Sequence, residues 1–188
     1  MKVVFRVDAG PKIGFGHIKR CIVLANILTK LGAEIHFICC ESIGDFSNQI
    51  KMCNFLLTLI PQFKNDEGNW KIATEFSDHD MKQSIKAIRN WSSEVDWLIV
   101  DHYFLSEKWE NSLSIWVNNI CVIDDFVNRS HKSDILINQS RLGSEKDLYN
   151  GLVPSKCRVL IGEKYVLLDE KYSFLIKENR RNRRDVKK

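Results

Sequence analysis

The chain has 188 residues, of which 44% are hydrophobic and 28% charged, enough for one well-buried core and too few for two large domains. Its formal charge of +4 is concentrated at one end: Lys177–Lys188 holds seven of the 28 basic residues and two of the 24 acidic ones, so the first 176 residues hold 21 and 22. A near-neutral body argues against a global nucleic-acid footprint, and no run approaches the ~18 apolar residues of a membrane helix, so the expected protein is soluble and cytoplasmic, with neither nucleic acid nor membrane as partner.

Lys2–Val7 is a short Val- and Phe-rich run that reads as a buried strand ending at Asp8. A loop with three glycines and Pro11 follows to Gly16. Ile18, Cys21, Ala25, Leu28 and Leu31 then recur at helical spacing, with Gly32 as the stop and Ala33–Cys40 as a second strand. Gly44–Asn54 is a weak helix, Phe55–Ile60 a strand closed by Pro61, and Gln62–Glu75 a polar loop. Ser77–Asp80 fits a capping box ahead of Met81, Ile85 and Ile88 on one helical face. Asp96–Val100 is a strand ending at Asp101. Leu105–Asn118 is a helix with Leu105, Trp109, Leu113 and Trp116 inward. Ile120–Ile123 and Asp134–Ile137 are strands, and Arg158–Leu168 a last strand and turn. Strands alternating with helices predict an α/β fold, a doubly wound, mostly parallel Rossmann-like sheet, with Asp8, Asp101 with His102 and Tyr103, and Asp124 with Asp125 on the rim where such folds bind ligands.

The six cysteines form neither a C-x-x-C pair nor a spaced Cys/His cluster and read as buried thiols; no metal or cofactor is expected. Gly14-Phe15-Gly16-His17 lacks the third glycine of a dinucleotide fingerprint and the Lys-Ser/Thr of a phosphate loop. Its glycines still permit a tight turn and close approach to a ligand. His17 falls at the first turn of a helix, whose positive end disfavours imidazolium, so the ring suits a general base, with Asp8 able to orient it or to hold a ligand hydroxyl; the alternative is a helix cap. His36, inside a strand, and His79, in a capping turn, read as structural. Adjacent Asp124 and Asp125 point to opposite faces and cannot flank one bond as a carboxylate pair; they read as a turn.

Several motifs in order resemble one family. Arg6-x-Asp8-Ala9 and Ile13-Gly14-x-Gly16-His17-x-x-Arg20-Cys21 open it. Asp101-His102-Tyr103 with Trp109-Glu110, and the Ile123–Asp134 segment with its Asp124, Asp125, Arg129 and His131, continue it. Asn138-Gln139-Ser140, Leu152-Val153-Pro154, Leu160-Ile161-Gly162 and Tyr165-Val166-Leu167-Leu168 complete it. Together these are similar to the UDP-2,4-diacetamido-2,4,6-trideoxy-β-L-altropyranose hydrolases of pseudaminic acid biosynthesis, close to spore-coat polysaccharide proteins of the SpsG type. The resemblance implies one half of a glycosyltransferase-B-type architecture like that of the MurG glycosyltransferase. It also implies a UDP-activated amino sugar as ligand and hydrolysis at the anomeric carbon with inversion. His17 would activate water, and Asp8, Gly14, Gly16, Arg20, Asp101 and Tyr103 would serve as sugar-site or orienting positions. UDP leaves readily, so no strong general acid is needed.

The resemblance covers about residues 1–170, which read as one domain. Residues 171–188 read as a basic remnant of an interdomain linker, and Asp169-Glu170 stand where the family has Arg-Pro-Glu. The family's second, nucleotide-binding domain is expected to be missing or supplied by another chain, and the chain by itself is expected to hydrolyse little. The competing expectation is a non-catalytic or glycosyltransferase-like sugar-nucleotide-binding module.

Overall fold

The structure, a computed structural model, describes residues 1–8, 14–41, 47–63, 73–140 and 147–169. The basic tail, most of the glycine loop before Gly14, and Trp70, a lid candidate in the polar stretch Gln62–Glu75, lie outside these residues. Seven strands form one sheet: β1 (Lys2–Val7), β2 (Glu34–Cys40), β3 (Leu56–Ile60), β4 (Trp97–Asp101), β5 (Asn119–Ile123), β6 (Ile135–Asn138) and β7 (Arg158–Ile161). Their order is β3-β2-β1-β4-β5-β6-β7 and every pairing is parallel. The α/β doubly wound sheet expected from the alternation is therefore present. Four helices accompany it: α1 (Gly16–Lys30), α2 (Ser47–Met52), α3 (Ala73–Trp91) and α4 (Glu107–Leu113).

The period-2 alternation of the strands builds two cores. Val3, Phe5 and Val7 of β1 join Ile99 of β4 and Cys121 and Ile123 of β5 against Ile18, Cys21 and Ala25 of α1. Val4, Leu98, Val100, Ile120 and Val122 face the other way, onto Ile88 of α3 and Trp109 and Leu113 of α4. Strand order reverses between β1 and β4, so the connections leave their carboxyl ends in opposite directions and open a crevice there. Asp8 and Asp101 stand at that opening.

Two boundaries differ from expectation. Helix α3 begins at Ala73, so Ser77–Asp80 is helix interior and not a capping box. The misreading has a physical cause: Asp80 is buried and turned toward the sheet, where it pairs with Arg6, so the inward face contains a residue that periodicity counts as polar. His79 accordingly lies within the helix, reaching the carbonyl oxygen of Pro61 at 3.0 Å. Helix α4 ends at Leu113 and is followed by a turn over Ser114–Trp116, with Ile115 exposed to solvent. Leu105 and Trp109 are buried nonetheless, and Trp91 and Trp116 pack against the same cluster.

Gly14 sits at φ +86°, a backbone region that side chains disfavour, yet a Cβ there would meet no atom within 4 Å. Gly16 has ordinary φ and equal space. Gly14→Ala is therefore expected to cost about 1–2 kcal/mol through the backbone alone, and Gly16→Ala almost nothing. Urea unfolding of the two variants checks this. A Gly16→Ala protein that is fully stable but slow in turnover would mark Gly16 as a point of ligand approach.

Candidate functional site

The site grows from three chain ends that the sheet brings together: the end of β1, the end of β4 and the start of α1. Asp101 is the last residue of β4 and shares the α1 face with Ile99. Its carboxylate meets the first turns of α1. His17 Nδ1 lies 2.5 Å from Asp101 Oδ1. Arg20 grips the same carboxylate with two nitrogens, Nε to Oδ2 and Nη2 to Oδ1, both at 2.6 Å. Its third nitrogen, Nη1, reaches Asp125 Oδ2 at 2.8 Å. Residues three apart on a helix share a face, so His17 and Arg20 address one carboxylate together.

This geometry fixes the imidazole tautomer. Two lone pairs cannot approach to 2.5 Å, so Nδ1 carries a proton and donates to Asp101, which in the neutral ring places the lone pair on Nε2. Arg20 Nη2, 3.1 Å from Nδ1, is then a close neighbour and not a donor to the ring. Burial works against the charge of Asp101, but hydrogen bonds from Arg20 and His17 outweigh it and hold the carboxyl below its usual range. Burial likewise opposes the Arg20 charge, and Asp101 and Asp125 more than offset it.

Asp8 occupies the opposite wall but does not orient His17. Its carboxylate accepts from Cys40 N at 2.7 Å, from His102 Nε2 at 3.0 Å and from both terminal nitrogens of Arg6. The expectation that Asp8 holds the ring gives way to Asp101, because Asp8 stands on the opposite face of the sheet from α1. Burial would raise the Asp8 carboxyl, but Arg6 and then His102 hold it far below the ordinary value. His102 is fixed at both nitrogens, since its Nδ1 accepts from Phe104 N at 3.1 Å. Arg6 is wholly buried and is shared with Asp80, which also accepts from Trp109 Nε1 at 3.0 Å and Ser84 Oγ at 3.1 Å. Period-2 spacing already places Arg6 and Asp8 on one face, and the strand-end motif puts His102 beside Asp101 and Tyr103; sequence reasoning missed Asp80 and the pairing of His102 with Asp8, which join residues on different elements.

Asp8, His17, Asp101, His102, Tyr103 and Phe104 line an opening whose water-accessible volume is about 10 Å³, room for one water molecule. The His17 side chain is only 5% exposed and lines that opening. Tyr103 stands edge-on to it, with ring centroids 4.3 Å apart. Beyond Tyr103 the turn after β5 carries Phe126, whose ring centroid is 5.0 Å from that of Tyr103. Asp124 and Asp125 diverge as adjacent residues should: Asp124 is buried and accepts from Val127 N and Tyr149 Oη, each at 3.0 Å, while Asp125 turns to Arg20. Gly14 and Gly16 flank Phe15 at the entry to α1. Among the described residues, no group of three His, Cys, Asp or Glu side chains is placed to hold a metal ion, and no helix is long and apolar enough to cross a membrane.

A parallel sheet with this order and a polar crevice at the β1/β4 reversal is Rossmann-like, and its structural neighbours are proteins of the glycosyltransferase-B-type architecture, of which it matches about half. The same fold is found in MurG of Acinetobacter baumannii, at a TM-score of 0.56 and 10% identity over 86% of this chain and 45% of that one. It recurs in the UDP-GlcNAc 2-epimerase of Neisseria meningitidis bound to UDP-GlcNAc, at 0.57 and 11% over 95% and 51%. A glycosyltransferase of Rickettsia africae matches at 0.52 and 15% over 95% and 49%.

In sequence, the chain is 33% identical over 186 residues, 98% of its length, to the UDP-2,4-diacetamido-2,4,6-trideoxy-β-L-altropyranose hydrolase of Campylobacter jejuni. It spans 58% of that relative. This is the family that its motifs resemble, although no protein-family model matches the chain.

Proposed function

We propose that this domain supplies the sugar-facing, water-activating wall of a hydrolase that releases UDP from a diacetamido-trideoxy sugar, a step of pseudaminic acid biosynthesis. The observation that carries the proposal is the His17–Asp101 pair at the mouth of the β1/β4 crevice. A water in that opening would give its proton to His17 Nε2 as its oxygen bonds to the anomeric carbon. The bond from that carbon to the β-phosphate oxygen breaks, UDP departs with the electron pair, and attack from the face opposite the nucleotide inverts the centre. Asp101 fixes the tautomer and stabilises the imidazolium as it forms. Arg6 and Arg20 are committed to carboxylates, so the described wall offers the diphosphate no free guanidinium, and the nucleotide is held by other residues.

The test is UDP release from the β-linked substrate, with proton NMR of the sugar anomer that forms first. The α anomer is the expected product; a first-formed β anomer, or binding without release in a preparation that includes the remaining length of the relative, would overturn the proposal. Asp101→Asn should lower release by about 10²-fold or more, since its amide no longer enforces the tautomer. Arg20→Lys keeps one charge but loses the paired grip, and the Asp101 carboxyl then titrates higher. The shift is read directly by carbon-13 NMR titration of the Asp101 carboxyl, and an unchanged titration in Arg20→Lys would mean that Arg20 does not set the charge on Asp101.

A further inference from the structure

Two features of the crevice are not needed for proton transfer: its polar groups are largely spent on one another, and its outer edge is aromatic. Asp8 is taken up by Arg6, His102 and Cys40 N, and Asp101 by His17 and Arg20. Both nitrogens of His102 are in use. Of the polar side chains that line the opening, His17 Nε2 and the Tyr103 hydroxyl have no hydrogen-bond partner among the described residues, and on the turn behind Tyr103 the unpaired Asp125 Oδ1 and Arg129 Nε are buried. A hexose rich in hydroxyls would find few partners here and would leave its own polar groups unpaired, which is costly. A sugar with few hydroxyls and several methyl groups would lose little.

The outer edge is built to hold an aromatic ring in the open. Phe126 is 51% exposed, although a large apolar side chain gains by burial. It is kept there by a turn that leaves little freedom. Val127, a β-branched residue, is held at φ +53°, in the left-handed region. The buried Asp124 carboxylate accepts from Val127 N at 3.0 Å and Phe126 N at 3.4 Å, and is itself fixed by Tyr149 Oη at 3.0 Å and Arg129 Nη2 at 3.1 Å. Asp125, on the preceding side, is clamped by Arg20. Strained turns that are held this firmly concentrate at ligand sites. The spacings from His17 to Tyr103 and from Tyr103 to Phe126 put the outer ring no more than about 9 Å from the imidazole, comparable with the span of a pyranose and its acetamido arm.

We propose that Phe126, seated on Tyr103, is a specificity-determining platform that receives the methyl groups of a hydroxyl-poor diacetamido-trideoxy sugar and disfavours hydroxyl-rich hexosamines. The proposal rests on the reading that this crevice takes a UDP-activated amino sugar. The sugar ring lies with its anomeric carbon toward His17 and its acetamido or C6 methyl against the Phe126 face.

The test uses the full 188-residue chain and two free sugars, 2,4-diacetamido-2,4,6-trideoxyaltrose and N-acetylglucosamine, titrated by saturation-transfer NMR. The wild type should bind the first about tenfold more tightly, with the strongest transfer at its methyl protons. Phe126→Ala should weaken that sugar about threefold to tenfold and leave N-acetylglucosamine unchanged, erasing most of the preference. Phe126→Tyr, which keeps the ring, should retain it and serves as the control for folding. Equal binding of both sugars by the wild type, binding of neither, an unaltered preference in Phe126→Ala, or a Phe126→Tyr protein as defective as Phe126→Ala would each overturn the proposal. Its failure is separable from that of the hydrolase reading. Inverting, His17-dependent UDP release beside an unaltered preference in Phe126→Ala sinks the platform alone. The expected preference without any UDP release in a preparation that includes the remaining length of the relative sinks the chemistry alone.

Discussion

Replacing His17 by Asn, in a preparation that includes the remaining length of the relative, is expected to lower UDP release by about 10³-fold while sugar binding and the fold persist. General-base removal costs about 10² to 10⁴ in rate, and among the described residues no second group stands ready to take the proton. Asp101 is bound to Arg20 and Asp8 to Arg6, so neither carboxylate has a basic lone pair facing a water without a counter-charge beside it. The substitution should be mild for stability, because Asp101 keeps both Arg20 hydrogen bonds and is not left as an unpaired buried charge. His17→Leu should abolish turnover equally and provides the check that any residual rate does not come from the new amide. Steady-state UDP release, run beside calorimetric titration of the UDP-sugar, separates the alternatives. Retained turnover in both variants would reduce His17 to a binding contact and favour a sugar-nucleotide-binding module.

The largest effect on stability is expected at Arg6. Arg6→Met preserves most of the side-chain volume but removes the cation between Asp8 and Asp80, leaving two buried carboxylates without it. Breaking a buried ionic network in this way costs about 3–5 kcal/mol. At roughly 2–4 °C per kcal/mol for a chain of this size, the melting temperature should fall by about 10 °C. The cost comes from the orphaned charges and not from lost packing, so the double variant Arg6→Met, Asp80→Leu should recover part of it. The pH dependence has a definite sign. The Asp8 carboxyl is held below its unfolded value in the native state, so its contribution is complete above roughly pH 4 and disappears as pH falls through the carboxylate range toward the native value. The gap between wild type and Arg6→Met should accordingly narrow below about pH 4. Urea unfolding at several pH values measures it, and a difference under about 1 kcal/mol at pH 7 would show that the network is not a stabilising one.

The alternation of strand and helix, and the place of His17 at a helix start, can be read from residues close together along the chain. Val3, Phe5 and Val7 announce a strand face, and Ile18, Cys21 and Ala25 a helical one, because side-chain direction repeats every 2 and 3.6 residues whatever the rest of the chain does. The motifs around His17, Asp101 and Asp124 carry the family resemblance for the same reason. Where local pattern and long-range pairing disagree, reading from the chain fails: Asp80 looks like a helix cap, and its real partner is Arg6, 74 residues away.

Which carboxylate orients the imidazole belongs to that second kind of fact. Asp8 is nearer in sequence, but Asp101, 84 residues from His17, sits beside it because β4 pairs with β1 and presents its last residue to α1. Phe126 stands open on Tyr103 through the same non-local order, which sets the ends of β4 and β5 side by side. The chain thus dictates its elements and the residue types at their ends through short-range sterics and hydrophobic periodicity. The partners in the crevice are chosen by strand order and register, which arise from contacts between residues far apart in the chain.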